Sequence, residues 1–243
     1  MGKEVPSMVG YTGKYQQPTP EKKKTLSFLP VFVSFVLVEA FGWYFLMPEG
    51  ENGRFPLLFG LFWSGILTAI LYLLPGKLSR VVYGITYFLT AVYAGFQTGY
   101  YLLFSEMMWL SDFRYASEGA DYADMLLTYP EFWWIGIFGM IGQGIWILLR
   151  FPAVKRSVLK ILFSLIVIAA SFYGMDTLPE TIFEADEKIK YAGSDYGRAQ
   201  SAEAVYENMF NTHRLYRLCG LHHTLAKDIY QNAIYPLTPS HAR

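Results

Sequence analysis

The chain has 243 residues, of which 53% are hydrophobic, 18% aromatic and only 16% charged, and its formal net charge is zero. A soluble domain carries about 25% charged residues, so the composition points away from an ordinary soluble protein, and the neutral balance points away from a nucleic-acid binder held by bulk charge. The single Cys219 excludes an internal disulfide framework and a multi-cysteine metal site.

Residues 1–26 are polar, hold several Gly, Gln and Pro, and close on Glu21-Lys22-Lys23-Lys24. They read as a cytoplasmic tail, with no cleavable signal peptide in view. A first predicted span covers Phe28 to Met47, with Pro30 in its first turn, where a missing N–H matters least. A second runs from Phe55 to Leu74 and stops at Pro75-Gly76. The third, Val81 to Phe104, has 24 residues and no charge. At ~1.5 Å per residue it is long enough to cross a ~30 Å hydrocarbon core. Ala91, Gly95 and Gly99 recur every fourth residue along it. That spacing predicts a small-residue face for close approach of a neighbouring helix, and the span reads as the central helix of the bundle. It hands over to a polar, acidic loop over 105–131. A fourth span, Phe132 to Leu149, carries Trp133, Trp134 and Trp146 as interface anchors. A fifth covers Ile161 to Met175, extended toward Ser157 if Lys160 snorkels.

Orientation follows from the basic residues. Eleven Lys and Arg fall in residues 1–26, the second-to-third connection and the fourth-to-fifth connection, against Arg54 and Arg114 in the two opposite loops. An excess of Lys and Arg marks the cytoplasmic side. The three basic segments share one side only if there are five spans. The expectation is therefore an all-α, polytopic membrane protein with five transmembrane helices, N-terminus inside and C-terminus outside. Its parts are a cytoplasmic tail at 1–26, a transmembrane domain at 27–175 and an outer helical linker at 176–243. In that linker Ser201 to Leu218 reads as one amphipathic helix. Leu221, Leu225, Ile229 and Ala233 step by four beyond Gly220, giving a second that ends before Pro236. Such helices are expected to lie on the membrane surface or against a following domain.

Few residues carry chemistry. Glu39 is the one ionisable residue well inside a span, where a charge costs ~2.5–3.5 kcal/mol on insertion scales. It reads as a hydrogen-bonded packing residue or as a lipid-headgroup or proton site. Glu39, Trp109, Asp112 and Arg114 are the candidates for lipid contact. All four histidines, His213, His222, His223 and His241, lie in the tail and read as surface residues. His222 and His223, adjacent on a helix, diverge by about 100° and do not readily share one ion. No HExxH, Walker-type loop, GxGxxG or GxSxG occurs. The acids of the loop, among them Glu106, Asp124 and Glu131, read as solvated. No catalytic, cofactor or metal residue is assigned. One intramembrane acid and no paired broken helices disfavour a transporter.

With five spans and an outer helical linker, the pattern resembles the membrane half of lipoteichoic acid synthase-type phosphoglycerol transferases. GYYLLFSEMMWLSDFRYASEGADY (Gly99–Tyr122) is similar to the family's third span and outer loop. CGLHHTLAKDIYQNAIYPLTP (Cys219–Pro239) is similar to the linker ahead of its sulfatase-like domain. The resemblance covers roughly residues 27–239. It implies a multi-pass protein of a bacterial cell membrane, with membrane lipids such as phosphatidylglycerol as partners. The family transfers glycerol phosphate from that lipid with a threonine nucleophile and a divalent metal, usually manganese, in an outer catalytic domain of the alkaline phosphatase superfamily. Neither the threonine nor the metal ligands have a counterpart here. The expectation is thus an anchor and linker without catalysis by itself and without manganese of its own, served by a separate sulfatase-like chain if one exists. The competing expectation is a small membrane scaffold of the cell envelope.

Overall fold

The structure is a computed structural model, and it describes residues 28–47, 54–111, 122–150, 157–190, 201–209 and 211–234. Those residues are helical, with no strand among them. The helices are α1 (Phe28–Leu46), α2 (Arg54–Leu73), α3 (Gly76–Phe104), α4 (Gly139–Arg150), α5 (Val158–Lys190), α6 (Ala202–Asn208) and α7 (Thr212–Ile229). A 3-10 turn at Ala123–Thr128 and a π-helical segment at Phe132–Phe138 lead into α4. The predicted cytoplasmic tail, Asp112, Arg114 and His241 lie outside the described residues.

Among the described residues four helical stretches are long and apolar enough to cross a membrane: Phe28–Leu46, Arg54–Leu73, Phe132–Arg150 and Val158–Phe183. α3 has 29 residues, but its five tyrosines, three threonines, Gln97, Lys77 and Arg80 make it less apolar than these. Many of those polar groups turn inward. Tyr83, Tyr87, Thr90, Tyr93, Gln97 and Thr98 are buried, while Ile85, Phe88, Leu89 and Val92 of the same helix are exposed. The exposed faces of α4 and α5 are likewise apolar, with Ile141, Ile145, Leu162, Ile166 and Phe172, as a lipid-facing surface requires.

Local chemistry sets the helix ends. Pro30 and Pro56 occupy first turns, where proline removes no helical hydrogen bond. Ser79 Oγ donates to the carbonyl of Leu71 at 2.7 Å and closes the α2–α3 corner. Ser105 takes a left-handed conformation (φ 58°) and ends α3. Ser201 and Asn211 cap α6 and α7, accepting from the N–H groups of Ala204 and Arg214. α5 runs unbroken past Met175 to Lys190, through Pro179, so the boundary expected at 175/176 falls inside a helix.

Two buried clusters form the core. The first joins Val31, Phe35, Val38 and Phe41 of α1 to Tyr83, Tyr87 and Tyr93 of α3 and Met140 and Ile147 of α4. The second joins Phe59 and Ile66 of α2 to Met175 and Ile182 of α5 and Ala202 and Val205 of α6. α7 is shared between them: Tyr216 and Leu221 belong to the first, Leu215 and Cys219 to the second. α2, packed against α1, α3, α5 and α7, is the central helix, and not α3 as its length and small residues suggested. The small-residue face also differs from expectation. A side chain added at Gly95 would meet nothing within 4 Å, whereas one at Gly99 would touch Leu126 at 3.3 Å and Phe132 at 3.5 Å. The contacts are with the 3-10 turn at Ala123–Thr128 and the first residue of the stretch Phe132–Arg150.

The linker departs most from expectation. α6 and α7 are built into the bundle rather than spread on its surface, because their apolar residues find core partners there. Leu215, Tyr216, Cys219 and Leu221 are at most 1% exposed, and each such side chain contributes roughly 1.5–3 kcal/mol by burial. One end of α7 is tied to the end of α1 through His213 Nε2 and the Leu46 carbonyl, 3.1 Å apart. Its other end is tied to the segment after α3, where the Leu110 N–H donates to Asp228 at 2.7 Å. α1 and α3 finish at the same end of the bundle. Between these ties α7 reaches inward to Glu39, seven residues or about 10 Å along α1 from Leu46.

Candidate functional site: a carboxylate and histidine at a broken helix

α1 has one charged side chain, Glu39, and it is 1% exposed. A carboxylate buried in an apolar bundle requires donors. It finds them where α7 breaks. Gly220 has φ 76° and ψ 179° and interrupts the helical hydrogen-bond ladder. The helix that restarts at Leu221 therefore presents N–H groups without helical partners, at the positive end of its dipole. Glu39 Oε1 accepts the Leu221 N–H at 2.6 Å, and Oε2 accepts the His222 N–H at 3.1 Å. His222 Nδ1 lies 2.5 Å from Oε2. Glu39 thus caps a helix start from a different helix. Charge-assisted bonds of this kind contribute about 1.5–3 kcal/mol each.

Two glycines make the approach possible. A Cβ on Gly60 of α2 would overlap Glu39 Cγ, and one on Gly220 would overlap Glu39 Oε1 and stand 2.7 Å from the Pro56 carbonyl oxygen. Gly220 also needs the left-handed backbone that only glycine adopts without strain. Glu39 is therefore enclosed by α1, α2 and α7, and faces protein rather than lipid.

His222 and His223 are not surface residues. His222 is 5% and His223 9% exposed. Their predicted divergence is real: His222 turns to Glu39 and His223 to the opposite side, between α2 and α6. Trp63 Nε1–H, a donor only, bonds His223 Nδ1 at 3.2 Å. That leaves the proton on Nε2, which donates to the Tyr206 hydroxyl oxygen at 3.1 Å. Burial, helped by the positive charge of Lys227, pulls the His223 pKa down to about 3, so it stays neutral. Lys227 Nζ sits 3.4 Å over the centre of the Tyr206 ring. Burial pushes the Cys219 thiol well up, and it is unreactive.

A third polar tie lies nearby. Gln97 Nε2 donates to the Met108 carbonyl at 2.7 Å and its Oε1 accepts the Met108 N–H at 3.0 Å. Residues 105–111, expected as open loop, fold back on α3 with Met107 and Met108 buried. Trp109 is half-buried and packs against the second cluster. Asp228, fully buried, also receives a bond from Asn232 Nδ2.

Among the described residues no group of three His, Cys, Asp or Glu side chains could hold a metal ion. The Glu39 site can do two things chemically: lock α7 into the bundle, and orient an imidazole. Sequence reasoning singled out Glu39 but not its partners. The signal was present: a buried acid needs donors, and CGLHH places a glycine break among apolar residues. No protein-family model matches the chain, and no curated protein or solved structure matches it.

Proposed function

We propose that this chain is the membrane-anchoring and linker region of a phosphoglycerol transferase of the lipoteichoic acid synthase type, in a bacterial cell membrane. In this reading α3 joins the four more apolar helices as a fifth crossing. Lys22–Lys24 are inside, and both ends of α7 are at the outer face. The partners are membrane lipids, phosphatidylglycerol among them, and a sulfatase-like catalytic unit on the same or another chain that uses manganese. The support is the likeness of Gly99–Tyr122 and Cys219–Pro239 to that family, together with the basic-residue asymmetry. The observation that carries the anchoring role is the seating of α7 on Glu39. A linker fixed in the bundle holds whatever it bears at a set height and angle, which a helix floating on the surface does not.

A chimera tests this. Residues 1–239 replace the membrane half of a phosphoglycerol transferase, and glycerol phosphate polymer is measured in membranes. The reading expects polymer to form, and reporters after positions 115 and 210 to sit outside. A folded chimera whose catalytic domain cleaves a soluble substrate yet makes no polymer would refute it. So would a cytoplasmic signal at residue 210.

A further inference from the structure

Val81, Ile85, Phe88 and Val92 form an exposed apolar row on α3. They step by four, three and four, which keeps them on one side of a helix. Gly95 and Gly99 continue that row by three and four. A Cβ at Gly95 would meet nothing, but at Gly99 the row is covered: a Cβ there would stand 3.3 Å from Leu126 Cδ1 and 3.5 Å from the Phe132 ring. The 3-10 turn Ala123–Thr128 therefore folds back over the side of α3 that the rest of the helix turns outward. It is tied there. The Trp133 Nε1–H donates to the Leu126 carbonyl at 2.9 Å, the Tyr129 hydroxyl donates to the Leu102 carbonyl at 3.4 Å, and the Tyr122 ring meets Phe104 edge-on at 5.6 Å. Its main chain is bonded as well, with the N–H groups of Met125, Tyr129 and Phe132 donating to the carbonyls of Tyr122, Leu126 and Tyr129. A segment at the edge of hydrocarbon requires this.

Depth follows from the helix. The charged start of α3 ends at Arg80, and Gly99 stands nineteen residues further on, about 28 Å along the axis, inside a ~30 Å hydrocarbon core. The side of the turn that faces away from α3 is apolar too: Leu127 is 71% and Met125 54% exposed. Tyr122, Tyr129 and Trp134 flank it and are also exposed, the residue types that collect at a membrane–water border. We propose that residues 122–134 are a lipid-facing element, seated in the border of the bilayer at which α3 ends. Met125 and Leu127 lie against acyl chains, and the aromatic rings, with the exposed Asp124 and Glu131, stand at headgroup level. The occupant is lipid because this face continues the apolar row of α3 on one side and the exposed Ile135 and Phe138 on the other. The acids of the 105–131 connection suggested a solvated loop throughout; in this assignment its last part is interfacial. The assignment rests on the crossing of α3 proposed above, and not on the family.

Spin labels at known positions test it. Leu127→Cys and, as a depth reference, Phe88→Cys each carry a nitroxide in the full chain in phosphatidylcholine bilayers. Both positions are exposed, so neither label displaces packed protein, and the native Cys219 is buried and takes no label. Collision rates are measured with oxygen, which concentrates in lipid, and with a water-soluble nickel chelate. Both labels are expected to favour oxygen, with position 127 shallower than position 88. A label at 127 that favours the chelate while the one at 88 stays in lipid overturns the assignment and returns the segment to water. Low rates with both reagents at 127 also overturn it, because protein then covers the face. A label at 88 in water removes α3 from the bilayer, and the seat of the segment with it. A second change tests the seating: Gly99→Leu fills the place of Leu126 and should raise the chelate rate at 127, whereas an unchanged rate would show that the turn does not rest on Gly99.

Discussion

Two sets of small residues in this protein look alike in sequence and behave differently. Ala91, Gly95 and Gly99 form a regular four-residue stripe on α3, yet Gly95 opposes open space. Gly60 and Gly220, 160 positions apart and in no pattern, close around one carboxylate. A glycine matters by what faces it. Spacing shows that a helix can be approached closely; it does not show that another helix comes. At Gly60 and Gly220 the approaching group is a charged side chain with nowhere else to bond, which makes the fit obligatory.

The sharpest break of this contrast is Gly220→Val. It forces a branched residue into a left-handed backbone and overlaps Glu39, with a cost of roughly 3–5 kcal/mol. The expected outcome is loss of the monodisperse folded protein in detergent, while a native-like melt would mean α7 is not held as described. Glu39→Ala comes next. It strands the Leu221 and His222 N–H groups, each costing about 1–3 kcal/mol when buried unpaired. A large fall in Tm is expected, and Glu39→Gln, which keeps one acceptor oxygen, recovers part of it.

His223 sharpens the picture through pH. Its folded pKa, about 3, is below the ordinary value of 6.5. The unfolded chain therefore takes up a proton first as pH falls, and stability is lost from pH 6.5 downward. Between pH 6.5 and pH 4 this amounts to roughly 3 kcal/mol. Unfolding measured across that range should show a steeper loss for wild type than for His223→Gln. Equal slopes would place His223 in contact with water. The smallest effect belongs to the stripe. Gly95→Leu should change stability by no more than about 0.5 kcal/mol, since the new side chain meets no protein atom, and thermal aggregation in detergent checks it.

Much of the bundle was legible because long apolar runs can be read locally. The ends of α1, α2 and the stretch Phe132–Arg150 fall within a few residues of expectation. Glu39 was legible as an anomaly, since one charge in an apolar helix demands a partner. Its partner was not, because His222 is 183 residues away and nothing local marks which N–H groups approach. The tail misled for a physical reason. Leu221, Leu225 and Ile229 step along one face as they would on a membrane surface, but Leu221 is buried and Ile229 is 41% exposed. An amphipathic face does not say whether lipid or protein covers it. His222 and His223 were read from polarity alone, and a histidine with a carboxylate or an indole to bond buries readily.

The central claim is that α7 enters the bundle beside α1, and one cross-link addresses it directly. A Cβ on Gly42 would lie 3.8 Å from Leu221 Cβ, within the spacing a disulfide requires. The pair Gly42→Cys and Leu221→Cys, with Cys219→Ser removing the native thiol, should oxidise under mild conditions to one intramolecular disulfide, seen as a linked peptide after proteolysis. Near-complete linkage in membranes is the predicted result. Free thiols at both positions in folded, membrane-inserted protein would contradict it and return α7 to the membrane surface.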